Sequence, residues 1–134
     1  MKKLYLFTLM LFTVVSYGQK MTQAEKEALI KKNPFNAIYP EMIMKQADSY
    51  FDETMKLYSD SPIDEKNTHL IGLAAAVVTK CQYCIPYHIK FAKKSGATDE
   101  EIKVALQISA EVMRMSTLFY GNEFDLEAFK ASLK

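Results

Sequence analysis

Nine consecutive residues, Leu70 to Val78 (LIGLAAAVV), carry no polar side chain. A helix that is apolar all round is buried on all sides, at the centre of a domain or against another subunit. The rest of the chain agrees with a helical reading. Only four glycines and four prolines punctuate 134 residues, and Ala, Leu, Lys, Glu and Met abound. Such usage favours helices over a sheet. The expected fold class is all-α, in one domain. A net charge of +1 gives no reason to expect nucleic acid or an anionic membrane as partner.

Turn and cap signals divide the chain into helices. The first is expected from Thr22 to Lys32, with Thr22 and Glu25 spaced as a capping box and Asn33-Pro34 as its stop. The second is expected from Pro40 to Tyr58, with Met44, Ala47, Phe51, Met55 and Tyr58 on one apolar stripe. The apolar helix extends from Asp64 to Thr79. A fourth helix runs from Tyr83 to Ser95 and is closed by Gly96 at a left-handed cap. The fifth starts at Thr98, with Glu101 completing a second box. It carries Ile102, Ala105, Leu106, Ile108, Val112, Met113 and Met115 to Tyr120, and Gly121 stops it. Asp125 caps a short final helix from Leu126 to Leu133. Met42, Met44, Met55, Met113 and Met115 read as core filling rather than a cofactor box. The charges on Lys90, Lys93, Lys94, Asp99, Glu100 and Glu101 read as solvated faces.

The beginning of the chain reads as a leader. Lys2 and Lys3 precede an uncharged run, Leu4 to Tyr17, and small residues at Ser16 and Gly18 offer a cleavage point before Gln19. Residues 1–18 are therefore expected to be a signal peptide, cleaved after Gly18, and residues 19–134 the mature helical domain. The run is short for a membrane span, and no stop signal follows it. No stable membrane insertion is expected after cleavage. The absence of a cysteine at the cleavage point speaks against a lipid anchor. The Lys-Lys start suggests a bacterial protein, so the expected location is the periplasm or the medium. Export places both cysteines where disulfides persist.

Those cysteines lie in Cys81-Gln82-Tyr83-Cys84-Ile85-Pro86-Tyr87-His88. Two cysteines three apart on a helical turn stand about 5–6 Å apart at Cα, which a disulfide can span. A bridge that short closes a tiny loop and is a poor structural staple. With the helix starting near Tyr83, Cys84 falls in its first turn, facing unpaired amides and the positive end of the dipole. Pro86 fits, because proline is tolerated in that turn. At an ordinary pKa only about 3% of a thiol is ionised at pH 7, and lowering the pKa two units raises this to roughly three quarters. His88 lies one turn after Cys84 on the same face, placed to take or return a proton. His69, twelve residues before Cys81, reads as a buried core histidine with one satisfied nitrogen. A c-type haem is excluded because Ile85, not histidine, follows Cys84. A thioredoxin-like reading needs strands that the pattern lacks.

The stretch from Asp64 to Ile102 resembles the carboxymuconolactone decarboxylase family and, within it, the alkylhydroperoxidase AhpD-like group. The residues that carry the resemblance are the apolar helix, the CxxCxxxH of Cys81, Cys84 and His88, and Gly96-Ala97-Thr98-Asp99-Glu100-Glu101-Ile102. It implies an all-helical, often oligomeric fold and hydroperoxide reduction through the cysteine pair. By that resemblance Cys84 attacks the peroxide, Cys81 resolves it, and His88 shuttles the proton. An external dithiol then reopens the bridge, and no metal or organic cofactor is implied. The AhpD-like motif has glutamate where this chain has His69, which can also relay protons near neutral pH but lacks a fixed negative charge. Glu65 stands one turn away on the same helix. The name-giving decarboxylation needs no cysteine pair, and its substrates are cytosolic.

Two other readings of these residues remain open. One is a helical binding or assembly module with a passive Cys81–Cys84 bridge. The other is a zinc-stabilised domain using Cys81, Cys84, His69 and His88, although the His-to-Cys spacings fit no common zinc module.

Overall fold

The computed structural model describes residues 20–134, and the expected leader, residues 1–18, lies outside them. Six α-helices and two short 3₁₀ turns make up the described residues, which contain no strand. No helix among them is long and apolar enough to cross a membrane. The chain divides into two compact units, one up to Tyr50 and one from Phe51.

In the first unit, α1 spans Gln23–Lys32. Its capping box is complete: Glu25 N donates to Thr22 Oγ1 at 3.2 Å and Thr22 N to Glu25 Oε2 at 2.8 Å. Lys45 Nζ also reaches Glu25 at 2.6 Å. Together these hold the Glu25 carboxyl down at about 2. Asn33 caps a 3₁₀ turn, Pro34–Ile38, by accepting from Phe35 N at 3.0 Å. Buried Asn36 donates to Leu29 O at 2.9 Å and to Asp48 Oδ1 at 2.7 Å, while Lys32 Nζ lies 2.6 Å from Asp48 Oδ2. The two buried side chains, Asn36 and Asp48, are thereby hydrogen-bonded, although Asn36 Oδ1 itself has no partner.

The helix expected from Pro40 starts later. Pro40 is extended, a 3₁₀ turn covers Glu41–Ile43, and α2 spans Met44–Ser59. The entry is tightened to i→i+3 bonding, with Met44 N donating to Glu41 O. The apolar stripe of α2 is real: Met44 and Ala47 are buried and Phe51, Met55 and Tyr58 half-buried.

In the second unit, α3 (Glu65–Val78) packs on α4 (Cys84–Lys94) and α5 (Asp99–Gly121), and α6 spans Leu126–Ser132. Leu73, Ala92, Ala97 and Ile102 form the core, with Leu70, Val77, Ile85, Ile89 and Leu106 packed around them. Asp64 caps α3 by accepting from Asn67 N at 3.0 Å, and Thr98 with Glu101 forms the second capping box, as the sequence predicts. Lys66 Nζ bonds Glu101 Oε1 at 2.6 Å and ties α3 to α5.

Of the two settings expected for the apolar helix, burial at the centre of the single chain is the one the structure does not give. α3 buries His69, Leu73 and Ala76, but Ile71 is 56% and Val78 42% exposed. Two neighbours cover only part of its circumference. On α5, Ile108, Val112 and Met113 are likewise exposed. Nor do all the methionines fill a core: Met44 is buried, whereas Met42 is exposed.

Three helices end in one motif. At α4, Gly96 takes φ 92°, and Gly96 N and Ala97 N donate to Lys93 O and Ala92 O at 3.0 and 2.8 Å. At α5, Glu123 takes the left-handed position, and the Phe119 and Phe124 rings supply the accompanying apolar contact at 5.2 Å. At α3, Lys80 is the left-handed residue, with φ 56°.

Candidate active site

The α3 terminus fixes the first cysteine. Lys80 N donates to Val77 O at 3.2 Å, and Cys81 N donates to Ala76 O at 2.9 Å. The chain reverses there and enters α4. Cys81 O then accepts from Ile85 N at 3.1 Å, and Cys81 Sγ accepts from Cys84 N at 3.1 Å. Cys81 therefore behaves as a helix cap, with sulfur in the position usually held by a serine or aspartate oxygen. Cys84 is the first residue of α4, and Pro86 lies in that first turn. Cys81 and Cys84 form a disulfide with Cα atoms 5.3 Å apart, within the span expected from the helical turn. Both residues are half-buried. The sequence pointed to Cys84 as the sulfur facing the helix amides; the structure gives the Cys84 amide to Cys81 Sγ instead.

His88 lies one turn beyond Cys84 on α4 and is 7% exposed, and His69 on α3 is 1% exposed. Their Nδ1 atoms approach to 3.2 Å. Two nitrogens at that distance share one proton: one ring carries Nδ1–H and the other accepts it, so the neutral pair holds opposite tautomers. His69 is thus more than a core histidine, because its partner is the imidazole one turn beyond Cys84. Glutamate's place in the motif is occupied by a group that meets His88 directly.

Aromatic rings enclose the pair. Tyr58 stacks on His69 at 4.7 Å and Phe91 at 5.4 Å. Tyr87 stands edge-on to His88 at 5.2 Å and points its hydroxyl at Met55 Sδ, 3.8 Å away. The sequence reading did not single out Tyr58, Tyr87 or Phe91 as site residues. Their signals were weak: Tyr58 closes the apolar stripe of α2, and Tyr87 and Phe91 flank His88 along α4.

Burial pushes both imidazoles below their ordinary pKa. A charge on His69 lowers His88 further, and the Glu65 carboxylate partly offsets the shift at His69. Both rings are therefore neutral at pH 7, as a proton acceptor must be. A stability prediction follows. Below the unfolded value, about 6.5, the unfolded chain binds protons that the folded pair refuses. Stability is then full above that value and falls as pH drops through it. The thermal midpoint should fall between pH 7 and pH 5. It should stay nearly flat in the double variant His69→Gln/His88→Gln. The paired carboxylates of Glu25 and Glu101, held at about 2, titrate below this window. An equal slope in wild type and double variant would remove the histidines as its source.

The four zinc ligands considered from the sequence are not assembled as such. The two sulfurs are bonded to one another, and among the described residues no group of three or more His, Cys, Asp or Glu side chains is arranged to hold a metal.

Two comparisons with known proteins bear on the chain. The sequence of an uncharacterized protein 4 in the cox locus of Paracoccus denitrificans is 32% identical over 76 residues, which are 57% of this chain and 68% of that protein. The pattern of the carboxymuconolactone decarboxylase family matches residues 43–119, which take in α2 from its entry, α3, the cysteine pair with His88, and nearly all of α5. With that match over more than half its length, in an all-helical fold with a CxxC pair at disulfide distance, the chain belongs to the carboxymuconolactone decarboxylase family.

Proposed function

We propose that this protein is an exported, AhpD-like thiol peroxidase or dithiol–disulfide oxidoreductase. The observation that carries the reading is a cysteine pair at the start of α4 followed, one turn on, by a neutral buried imidazole paired with a second. In the reduced protein, Cys84 thiolate attacks one peroxide oxygen. The His88–His69 pair, having taken the proton of the Cys84 thiol, returns it to the departing alkoxide as the O–O bond breaks and Cys84 becomes a sulfenic acid. Cys81 thiol then attacks the sulfenic sulfur, its proton joins the departing hydroxide as water, and the disulfide forms. An external dithiol supplies two electrons and two protons to reopen it. In the bridged state the same pair accepts electrons from other thiols, which is the oxidoreductase direction. No cofactor enters either half of the cycle.

The test is a single turnover. Protein reduced and freed of reductant should consume about one equivalent of hydroperoxide and regain the Cys81–Cys84 bridge. A reduced protein that leaves the peroxide untouched while still exchanging thiols is an oxidoreductase only. One that does neither is a module with a passive bridge.

The proposed protein works as a homo-oligomer. Ile71 and Ala74 of α3 and Val104 and Ile108 of α5 line an apolar groove, and Val112 extends the exposed stripe. Apolar surface of this kind on neighbouring helices is removed from water by a second copy bearing the same patch. Light scattering at micromolar concentration should give a dimer or larger assembly, and Ile108→Asp should shift it to monomer. A monomeric wild type refutes the oligomer.

A further inference from the structure

A glycine on α3 stands where His88 meets the helix. A Cβ built on Gly72 would fall 2.7 Å from His88 Nδ1 and 2.8 Å from Nε2, and closer still to Cε1. The imidazole lies flat against the α3 backbone, in the space any larger residue would fill. Other rings stand around it. His69 Nδ1 is on one side at 3.2 Å, Tyr87 is edge-on at 5.2 Å, and Tyr58 is at 5.8 Å. Gly121, by contrast, has nothing within 4 Å of its built Cβ.

We infer that Gly72 is a positioning residue: by having no side chain it seats the His88 ring against α3 at the depth where its Nδ1 shares a proton with His69. His69 and Gly72 are three apart on α3, so one face of that helix supplies both the partner and the vacancy. A glycine inside a helix lowers its stability relative to alanine. Here that loss has a compensating contact, the ring that occupies the space. The part of this inference that concerns catalysis rests on the peroxidase reading. The geometric part does not.

The experiment is a double-mutant cycle of Gly72→Ala and His88→Ala with three readouts on the full mature chain: imidazole nitrogen NMR, thermal midpoint and single-turnover peroxide consumption. In Gly72→Ala the added methyl should displace the ring. The signal of the shared Nδ1 proton should vanish, the midpoint should fall, and the peroxide rate should drop by about a hundredfold or more, the lower range for losing an aligned proton donor. In the His88→Ala background, where the ring is gone, Gly72→Ala should change neither rate nor signal and should raise the midpoint through better helix propensity. Gly121→Ala should leave the NMR signal and rate as in wild type. If Gly72→Ala alone does not fold, the double variant should, because the clash has been removed. Persistence of the shared-proton signal in Gly72→Ala overturns the inference. So does an equal loss in both backgrounds, which would mean that the glycine acts through α3 and not through His88. If the wild type consumes no peroxide, the peroxidase reading fails, and the NMR and thermal arms still decide the role of Gly72.

Discussion

Cys84→Ser should abolish single-turnover peroxide consumption, lowering the rate by roughly 10³-fold or more, the scale on which removal of a nucleophile acts. A serine hydroxyl is almost wholly protonated at pH 7, whereas a thiol already has a few per cent thiolate. Cys81→Ser should behave differently. It should consume one equivalent and stop, with a single added oxygen on Cys84 detectable by mass, because no second sulfur can displace the hydroxide. Catalytic turnover with any dithiol should be lost in both. The hydrogen bond from Cys84 N to Cys81 Sγ makes the two variants more than a formality. If Cys84→Ser keeps the wild-type rate and Cys81→Ser is inert, the attacking sulfur is the one that receives the helix amide, and the roles assigned above are reversed. Should both variants react as fast as wild type, neither sulfur is the nucleophile and the peroxidase reading ends.

Leu73→Ala should have the largest effect on stability. Leu73 is fully buried where α3 packs on its neighbours, and truncating such a leucine costs about 2–5 kcal/mol in lost transfer energy and cavity formation. At roughly 4–8 °C per kcal/mol for a domain of this size, the thermal midpoint should fall by about 8–40 °C. Ile71→Ala, two residues away on the exposed side of the same helix, should move the monomer's midpoint by only a few degrees. The pair can be measured side by side by circular dichroism. Equal losses at the two positions would contradict the packing of α3 described here.

Much of the fold was legible because local rules decide it. Thr22 with Glu25, Thr98 with Glu101, Asp125 and Gly96 act as the caps their spacing suggests, and the cysteine motif sits at a helix start. The late start of α2 escaped because Pro40 suits a helical first turn and an extended entry equally well. The third helix was legible in part: its lack of polar side chains called for burial, and the single chain supplies it on one side only. What covers Ile71 and Val78 depends on neighbours, not on the helix itself.

The candidate site was legible only along the chain. Cys81, Cys84 and His88 lie within about two helical turns of each other, so spacing alone joins them. The His69–His88 contact is not local. It joins two helices across 19 residues and depends on a glycine whose reason for being small is a ring on another helix. Nothing around Gly72 in the sequence distinguishes it from any helical glycine. The sulfur–amide bond was misread for a related reason: placing Cys84 in the first turn did not reveal that its own N–H would point back to Cys81.

The Cys81 cap has a consequence for how the molecule changes state. Its amide is tied to Ala76 and its carbonyl to Ile85, two bonds that belong to the main chain and not to the sulfurs. The turn that joins α3 to α4 is therefore expected to outlast the sulfur–sulfur bond.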